Sequence, residues 1–184
     1  MKHVLSILVQ NQPGVLVRVA SMFTRRGFNI DSLAVGTTQV PEYSRITAVT
    51  HGSPRVVNQM VRQLEKLYEV EAVQVLKAGE AVTVGMAVVK VRFGSRRAEI
   101  FRLAWQFAAN LVADDAGIGV FVITGDDERI DAFAEMLAPY GVLEITRTGV
   151  IGLARGEETI YACQRKKQLD GEGSFGSTAR LSLG

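Results

Sequence analysis

The segment HVLSILVQNQPGVL, residues 3–16, contains the signals that decide the fold of this chain. Residues 3–9 form an apolar, partly β-branched run that predicts a buried strand, and the NQPG sequence at 11–14 is typical of a break between elements. From Val15 onward, apolar residues recur at helical spacing, and Pro13 suits the first turn of such a helix. The segment therefore predicts a strand, a short loop and a helix in direct succession.

The residues that follow continue this pattern and complete one structural unit. Gly27 suits a left-handed stop after the first helix, and Ser53 with Pro54 suits the cap and first turn of a second helix. Strands are predicted at residues 30–38, 44–51 and 70–76. The order βαββαβ predicts a ferredoxin-like unit, in which two helices cover one face of an antiparallel sheet.

A second βαββαβ pattern follows the first. Strands are predicted at residues 82–93, 111–113, 120–124 and 142–148, and the helices between them are predicted to be capped by Ser95 and by Asp126 or Asp127. The fold class is therefore α+β, with two ferredoxin-like units in tandem. We place the domains at residues 1–78 and 79–158, with KAGEA at 77–81 as the linker and residues 159–184 as a flexible, Gly/Ser-rich tail.

Composition limits the class of protein. The apolar runs are shorter than the roughly 18 residues that cross a bilayer, and no charged-then-apolar leader precedes the first strand. Residue Cys163 is the single cysteine, so a disulfide framework and a cysteine-based metal site are excluded. We expect a cytoplasmic protein with no membrane segment.

Charge and aromatic residues argue against a nucleic-acid partner. Residues 1–78 contain nine Lys/Arg and five Asp/Glu, and residues 79–158 contain eight and twelve. The basic residues are scattered, whereas nucleic-acid contacts usually need a cluster. Ferredoxin-like domains that bind RNA stack bases on aromatic residues of the sheet, but the HVLSILV and RITAVTH strands have none.

Residues for catalysis or for a metal are sparse. The histidines, His3 and His51, both lie inside predicted strands, where a hydrogen-bonded structural ring is the usual role. The carboxylates at 114–115 and 126–128 flank predicted elements and are better explained by turns and helix caps than by a metal. We therefore predict no catalytic residue and no metal site in this chain.

The loop of Asn11, Gln12, Pro13 and Gly14 is the strongest candidate for binding. Its backbone N–H groups and the positive end of the following helix favour an anion, and Gly14 permits close approach of a ligand. We predict that Val15 and Leu16 supply an apolar wall, and that the Asn29 amide can contact an ammonium or a carboxylate group. Together they suit a small apolar zwitterion. A purely structural alternative, in which Asn11 caps the helix and Asn29 occupies a left-handed turn, is also consistent with the spacing.

A family resemblance favours the binding interpretation. NQPGVL at 11–16 and FTRRGFNIDSL at 23–33 resemble the signature of an ACT domain. Further similar segments are YSRIT at 43–47, QLEKL at 63–67, RTGV at 147–150 and LARG at 153–156. Over residues 1–157 the chain resembles the small, regulatory subunit of acetolactate synthase. It departs from that pattern at residues 113–120 and has a longer tail after Gly156.

The resemblance implies a function and a set of partners. A protein of this family forms a homodimer through its ACT domain, binds valine at the dimer interface and controls a separate catalytic (large) subunit. Thiamine diphosphate, Mg²⁺ and FAD are then expected on the catalytic subunit, and no cofactor on this chain.

The resemblance also assigns roles to residues. Asn11, Gln12, Pro13, Gly14, Val15 and Leu16 would line one side of the effector site, and Asn29 and Ile30 of the neighbouring protomer would line the other. Independently of the resemblance, Gln39, Glu42 and Tyr43, which we expect to be exposed at the end of the sheet, are candidate contacts with the catalytic subunit. An ordinary solvated hairpin loop is an equally consistent interpretation of these residues. The alternatives are a free-standing ACT sensor of another amino acid, such as serine or glycine, and an RNA-binding ferredoxin-like protein.

Overall fold

The computed structural model describes residues 1–164, and its first unit has the predicted element order. The elements are β1 (Lys2–Gln10), α1 (Val15–Arg25), β2 (Ser32–Thr37), β3 (Tyr43–His51), α2 (Pro54–Leu64) and β4 (Val70–Leu76). The strands form an antiparallel sheet in the order β2-β3-β1-β4. This is the ferredoxin-like arrangement, so the predicted fold of the first unit is confirmed.

The core of the first unit lies between the sheet and its two helices. Alternate residues of β1, namely Leu5, Ile7 and Val9, are at most 2% exposed and belong to one cluster with apolar residues of α1 and α2. The alternation follows from the two-residue period of a strand, which directs successive side chains to opposite faces. β1 is therefore the central strand of the first core.

The second unit repeats the same topology. Its elements are β5 (Ala81–Arg92), α3 (Arg97–Gln106), β6 (Asn110–Asp115), β7 (Ile118–Gly125), α4 (Asp127–Leu137) and β8 (Val142–Arg147). The sheet order is β6-β7-β5-β8, and an additional strand, β9 (Ile151–Ala154), pairs with β5. The tandem ferredoxin-like fold is therefore confirmed, whereas β9 is a feature that the periodicity did not predict.

Three of the predicted caps can be compared with the structure. Ser53 and Asp126 each accept a hydrogen bond from a backbone N–H in the first turn of their helix, as predicted. The prediction for Ser95 is wrong, because α3 begins after Arg96 and has no side-chain cap. Glu99 lies in the first turn of α3, where its carboxylate interacts favourably with the positive end of the helix dipole even without a side-chain cap.

The contacts divide the chain differently from the sequence. Residues 1–82 group with the described residues from 152 onward, and residues 83–151 form the second unit. The predicted boundaries lay after residues 78 and 158. The difference at the second boundary has a physical cause, because Ile160 is only 1% exposed and packs with Leu8 and Ala72 of the first sheet. Residues 165–184 of the predicted tail lie outside the described residues.

The aromatic core of the second unit gives a test of its packing. A Cβ added at Gly119 would lie 2.3 Å from the ring of Phe93, which is itself enclosed by Phe101 and Phe121 at centroid distances of 5.5 and 6.2 Å. We predict that Gly119→Ala lowers the free energy of unfolding by about 1–3 kcal/mol through overpacking. Gly85→Ala is the matched control, since its nearest side-chain atom would lie at an ordinary 3.6 Å. Equal midpoints of urea unfolding for the two variants would contradict the prediction.

Candidate functional site

The start of α1 has the character of an anion site. Gly14 precedes the helix with φ of 85°, a left-handed conformation that glycine adopts without strain. No side chain caps this end, and the first turn contains no acidic residue. The first N–H groups of a helix have no partner within the helix, and here they are combined with the positive end of its dipole.

Two sequence expectations at this loop are corrected by the structure. Pro13 lies in the turn before the helix and not in its first turn. Asn11 does not cap α1, because its side chain is directed to the β2–β3 connection. There its Nδ2 donates to the carbonyl of Pro41 at 3.1 Å, and its Oδ1 accepts from Ser44 Oγ at 3.0 Å. The structural alternative for Asn11 is therefore wrong, and its observed role is to hold the loop in place.

The two apolar residues after Gly14 have different surroundings. Val15 is 4% exposed and belongs to the core, so its side chain is not a wall for a ligand. Leu16 and Val17 are 40% and 67% exposed and line a groove of about 710 Å³ along α1 that extends to Leu33 on β2. The apolar wall beside Gly14 is therefore made by Leu16 and Val17. The sequence spacing alone did not show that Val17 is exposed while Val15 is buried.

The second half of the predicted site lies at the other end of the sheet. Asn29 is exposed and donates from Nδ2 to Asp31 Oδ1 at 2.8 Å, while its carbonyl accepts from Thr50 Oγ1 at 2.7 Å. Asp31 also lies 2.6 Å from His51 Nδ1. Asn29 is not in a left-handed conformation, so the predicted turn is not observed. Ile30 is half-buried and packs against the first core.

The register of β1 shows how far apart the two halves are. Lys2 pairs with His51 and Gln10 pairs with Tyr43, so Asn29 lies near one end of β1 and Asn11 near the other. A strand of nine residues spans about 26 Å at roughly 3.3 Å per residue. Within one chain the structure therefore does not bring Asn29 and Ile30 together with the loop at 11–16.

The β2–β3 connection differs partly from the prediction. Gln39 and Glu42 are exposed, whereas Tyr43 is half-buried and accepts a hydrogen bond from Gln164 Nε2 at 3.1 Å. Sequence reasoning missed this contact because residues 159–164 were taken as part of a flexible tail. The apolar residues at 160–163, preceded by Thr159 as a capping residue, were the available signal.

Two charged residues of the first unit were also missed. Arg18 of α1 forms an ion pair with Glu69, which is largely buried. On the opposite face of the sheet, Arg45 Nη1 donates to the carbonyl of Gly152 at 3.5 Å. Burial lowers the pKa of the Arg45 guanidinium, and Tyr161 acts in the opposite direction. The backbone N–H of Arg18 donates to the carbonyl of Gly14 at 3.1 Å, while its side chain is paired with Glu69.

Known proteins resemble this chain over both of its ferredoxin-like units. The family model for the AHAS small subunit-like ACT domain matches residues 5–72, and the model for the small subunit of acetolactate synthase matches residues 85–156. A probable acetolactate synthase small subunit from Archaeoglobus fulgidus is 39% identical over 86% of this chain and 99% of its own length. The chain belongs to the acetolactate synthase small-subunit family.

Further members of the small-subunit family match this chain over nearly their whole length. The acetolactate synthase small subunit of Mycobacterium leprae is 38% identical, over 86% of this chain and 94% of its own. A crystal structure of the acetolactate synthase small subunit from Thermotoga maritima superposes with a TM-score of 0.81 at 35% identity, and covers 86% of this chain and 99% of that one. The predicted family is therefore confirmed, including both ferredoxin-like units.

The described residues, 1–164, contain neither a cluster typical of a metal site nor a helix typical of a membrane span. In that range no three or more His, Cys, Asp or Glu side chains come together as a metal site would require. No described helix is long and apolar enough to cross a membrane. The histidines have the structural partners expected of them, since His3 Nε2 lies 3.1 Å from the carbonyl of Gly52 and His51 contacts Asp31.

The contact of Asn11 with Ser44 can be tested in this small-subunit fold without any ligand. We predict that Asn11→Ala lowers the free energy of unfolding by about 1–3 kcal/mol, because Ser44, which is 8% exposed, loses its acceptor. In the double variant Asn11→Ala/Ser44→Ala no buried hydroxyl is left unpaired. A double-mutant cycle in urea should therefore show coupling, and strictly additive costs would contradict the proposed hydrogen bond.

Proposed function

We propose that this chain is the regulatory subunit of acetolactate synthase, that it activates the catalytic subunit and that it makes the holoenzyme sensitive to valine. The small subunits it resembles carry the name of that enzyme, which supports the association with a catalytic chain. The observation that carries the effector assignment is the uncapped start of α1 at Gly14, directly beside the apolar groove of Leu16 and Val17.

The chemistry of this site matches a small apolar amino acid. The Val15 N–H donates to the carbonyl of Gln12 at 3.4 Å, so the following N–H groups of the first turn, at Leu16 and Val17, are the ones that suit its carboxylate. The exposed Leu16 and Val17 side chains suit a branched aliphatic group. An ammonium group needs acceptors, which Asn29 and Asp31 offer at the other end of the sheet. The bond from Asn29 Nδ2 to Asp31 directs the amide so that Oδ1 is left as an acceptor.

A two-chain site explains how these parts meet. A two-fold axis that pairs α1 and the edge strand β2 of two copies would place the loop of one copy beside Asn29 of the other. The exposed apolar residues Leu16, Val17 and Val35 on α1 and β2 support such a pairing, as does the unpaired edge of β2. We therefore propose a homodimer through the ACT domain with two equivalent effector sites.

The remaining assignments follow the family. Thiamine diphosphate, Mg²⁺ and FAD belong to the catalytic subunit in this proposal, and the chain described here contributes regulation and no chemistry. Gln39 and Glu42 are the proposed contacts with that subunit because they are exposed at the end of the sheet. Tyr43 contributes there only through its exposed part, because Gln164 contacts its hydroxyl.

The effector assignment is tested by Gly14→Asp in the reconstituted holoenzyme. We expect the wild-type chain to raise acetolactate formation and valine to lower it, whereas the Asp variant still activates but no longer responds to valine. The Asp carboxylate would repel the carboxylate of valine by about 4 kcal/mol at a separation of about 4 Å and an effective dielectric constant of 20. One third of this repulsion is enough to weaken valine binding about tenfold.

Gly14→Asn is the matched control for charge. Asn and Asp have nearly the same size, both tolerate the left-handed conformation, and a Cβ at Gly14 has no atom within 4 Å. We expect the Asn variant to keep more of the valine response. An unchanged valine response of Gly14→Asp would contradict the site, and a response to serine or glycine in place of valine would favour the free-standing sensor.

The two-chain site makes a separate prediction for mixed dimers. Gly14→Asp and Asn29→Ala each impair both sites of a homodimer. In a heterodimer of the two variants one site carries both changes and the other carries none. We therefore expect the co-expressed, differently tagged heterodimer to bind valine at half the wild-type stoichiometry by calorimetry. Absence of binding in the heterodimer, with the wild type binding normally, would show that the site lies within one chain.

A further inference from the structure

Residues 159–164, called here the docking segment, pack on the face of the first sheet that is opposite to its helices. Thr159 begins a helical turn, and its Oγ1 accepts from the N–H of Ala162 at 3.3 Å. Ile160 is the apolar anchor, since it is 1% exposed and packs with Leu8 and Ala72. The docking segment therefore has a defined position on the sheet.

Gln164 connects the docking segment to the end of the sheet where the effector loop lies. Its Nε2 donates to Tyr43 Oη at 3.1 Å and to Glu71 Oε2 at 3.3 Å. The other oxygen of Glu71 accepts from Gln10 Nε2 at 3.1 Å. Tyr43 and the last residue of β1 are thus joined by Gln164 and Glu71 in one hydrogen-bonded group.

Tyr43 in turn is the first residue of β3, directly after the connection that holds the effector loop. Its N–H donates to the carbonyl of Val40 at 3.0 Å. Its neighbour Glu42 accepts from the N–H of Asn11 at 2.7 Å, and its other neighbour Ser44 donates to the Asn11 side chain. A continuous set of hydrogen bonds and two peptide links therefore runs from Gln164 through Tyr43 to Asn11.

We propose that Tyr43 and Gln164 are positioning residues for the effector site, and that the docked segment fixes the β2–β3 connection and, through it, the loop at 11–14. This inference rests on the proposed function, because the loop is the valine site assigned above. By linkage the effect is reciprocal, so valine binding at the loop strengthens the docking of residues 159–164. Neither residue touches the effector.

The positioning role is tested first without any effector, in the full chain. We use Tyr43→Phe, which removes only the hydroxyl, and Gln164→Ala, with Glu157→Gln as the control because Glu157 is exposed on the same part of the chain. Amide hydrogen exchange of peptides covering residues 10–16 should be about three- to tenfold faster in the first two variants, the range expected for one lost hydrogen bond. Unchanged exchange in both variants would overturn the proposal.

The coupling to the effector is tested second. We expect valine to bind about three- to tenfold more weakly to Tyr43→Phe and to Gln164→Ala. Activation of the catalytic subunit at zero valine is read in Gln164→Ala, which lies outside the proposed subunit contacts, and should be unchanged there. The double variant should be no weaker than either single one, since both remove the same contact. A merely structural defect would lower activation as well. Valine affinity equal to the wild type in both variants would contradict the coupling.

Cys163 provides a direct reporter of docking. It is the one cysteine of the chain, it is half-buried and it packs in the cluster of Leu8 and Ile160. Its reaction rate with a thiol reagent should fall when valine is added to the wild type and should be faster in Gln164→Ala. If the wild type binds no valine, the proposed function fails, while loop exchange still decides the positioning role. If valine binds and the Cys163 rate stays unchanged, the coupling fails alone.

Discussion

The double pairing of β1 is the constraint on which the first unit depends. β1 is hydrogen-bonded to β3 along one edge and to β4 along the other, so its register fixes both ends of the sheet. Because Gln10 pairs with Tyr43 at one end, the loop that follows β1 must emerge beside the β2–β3 connection. A shift of one residue would move Leu5, Ile7 and Val9 from the core to the opposite face, so burial enforces this register.

The sequence correctly predicted the features that are determined by residues close together along the chain. Strand and helix periods, the caps at Ser53 and Asp126 and the left-handed Gly27 are all determined by neighbours within a few residues. The features that it missed join distant residues. Asn11 contacts a residue 33 positions away, and Gln164 contacts Tyr43 across 121 positions. Such partners become visible only when the topology has brought the strands together.

The family resemblance and the geometry contributed different parts of the site. The residue pattern already suggested that the loop at 11–16 and Asn29 bind the same small zwitterion. The resemblance added Ile30 and the assignment of the two groups to different protomers. The structure shows that these groups are at opposite ends of one sheet, and for that reason the proposed site takes them from two copies. It also replaces Val15 by Leu16 and Val17 as the exposed apolar surface, because Val15 faces the core. Each source therefore corrects the other.

The absent cap on α1 also has a consequence for attempts at thermostabilisation. A good N-cap side chain contributes about 1 kcal/mol to a helix, and α1 forgoes it. A cap at residue 14 would also require a change from the left-handed conformation of Gly14, whose φ is 85°, and its oxygen would then occupy the N–H groups of the proposed effector site. Selection for heat resistance alone would favour a capped helix start with a different backbone conformation at residue 14, and under the proposed function such sequences would have lost regulation. Under the proposed function, the uncapped start of this helix is the stability cost of keeping it responsive to the effector.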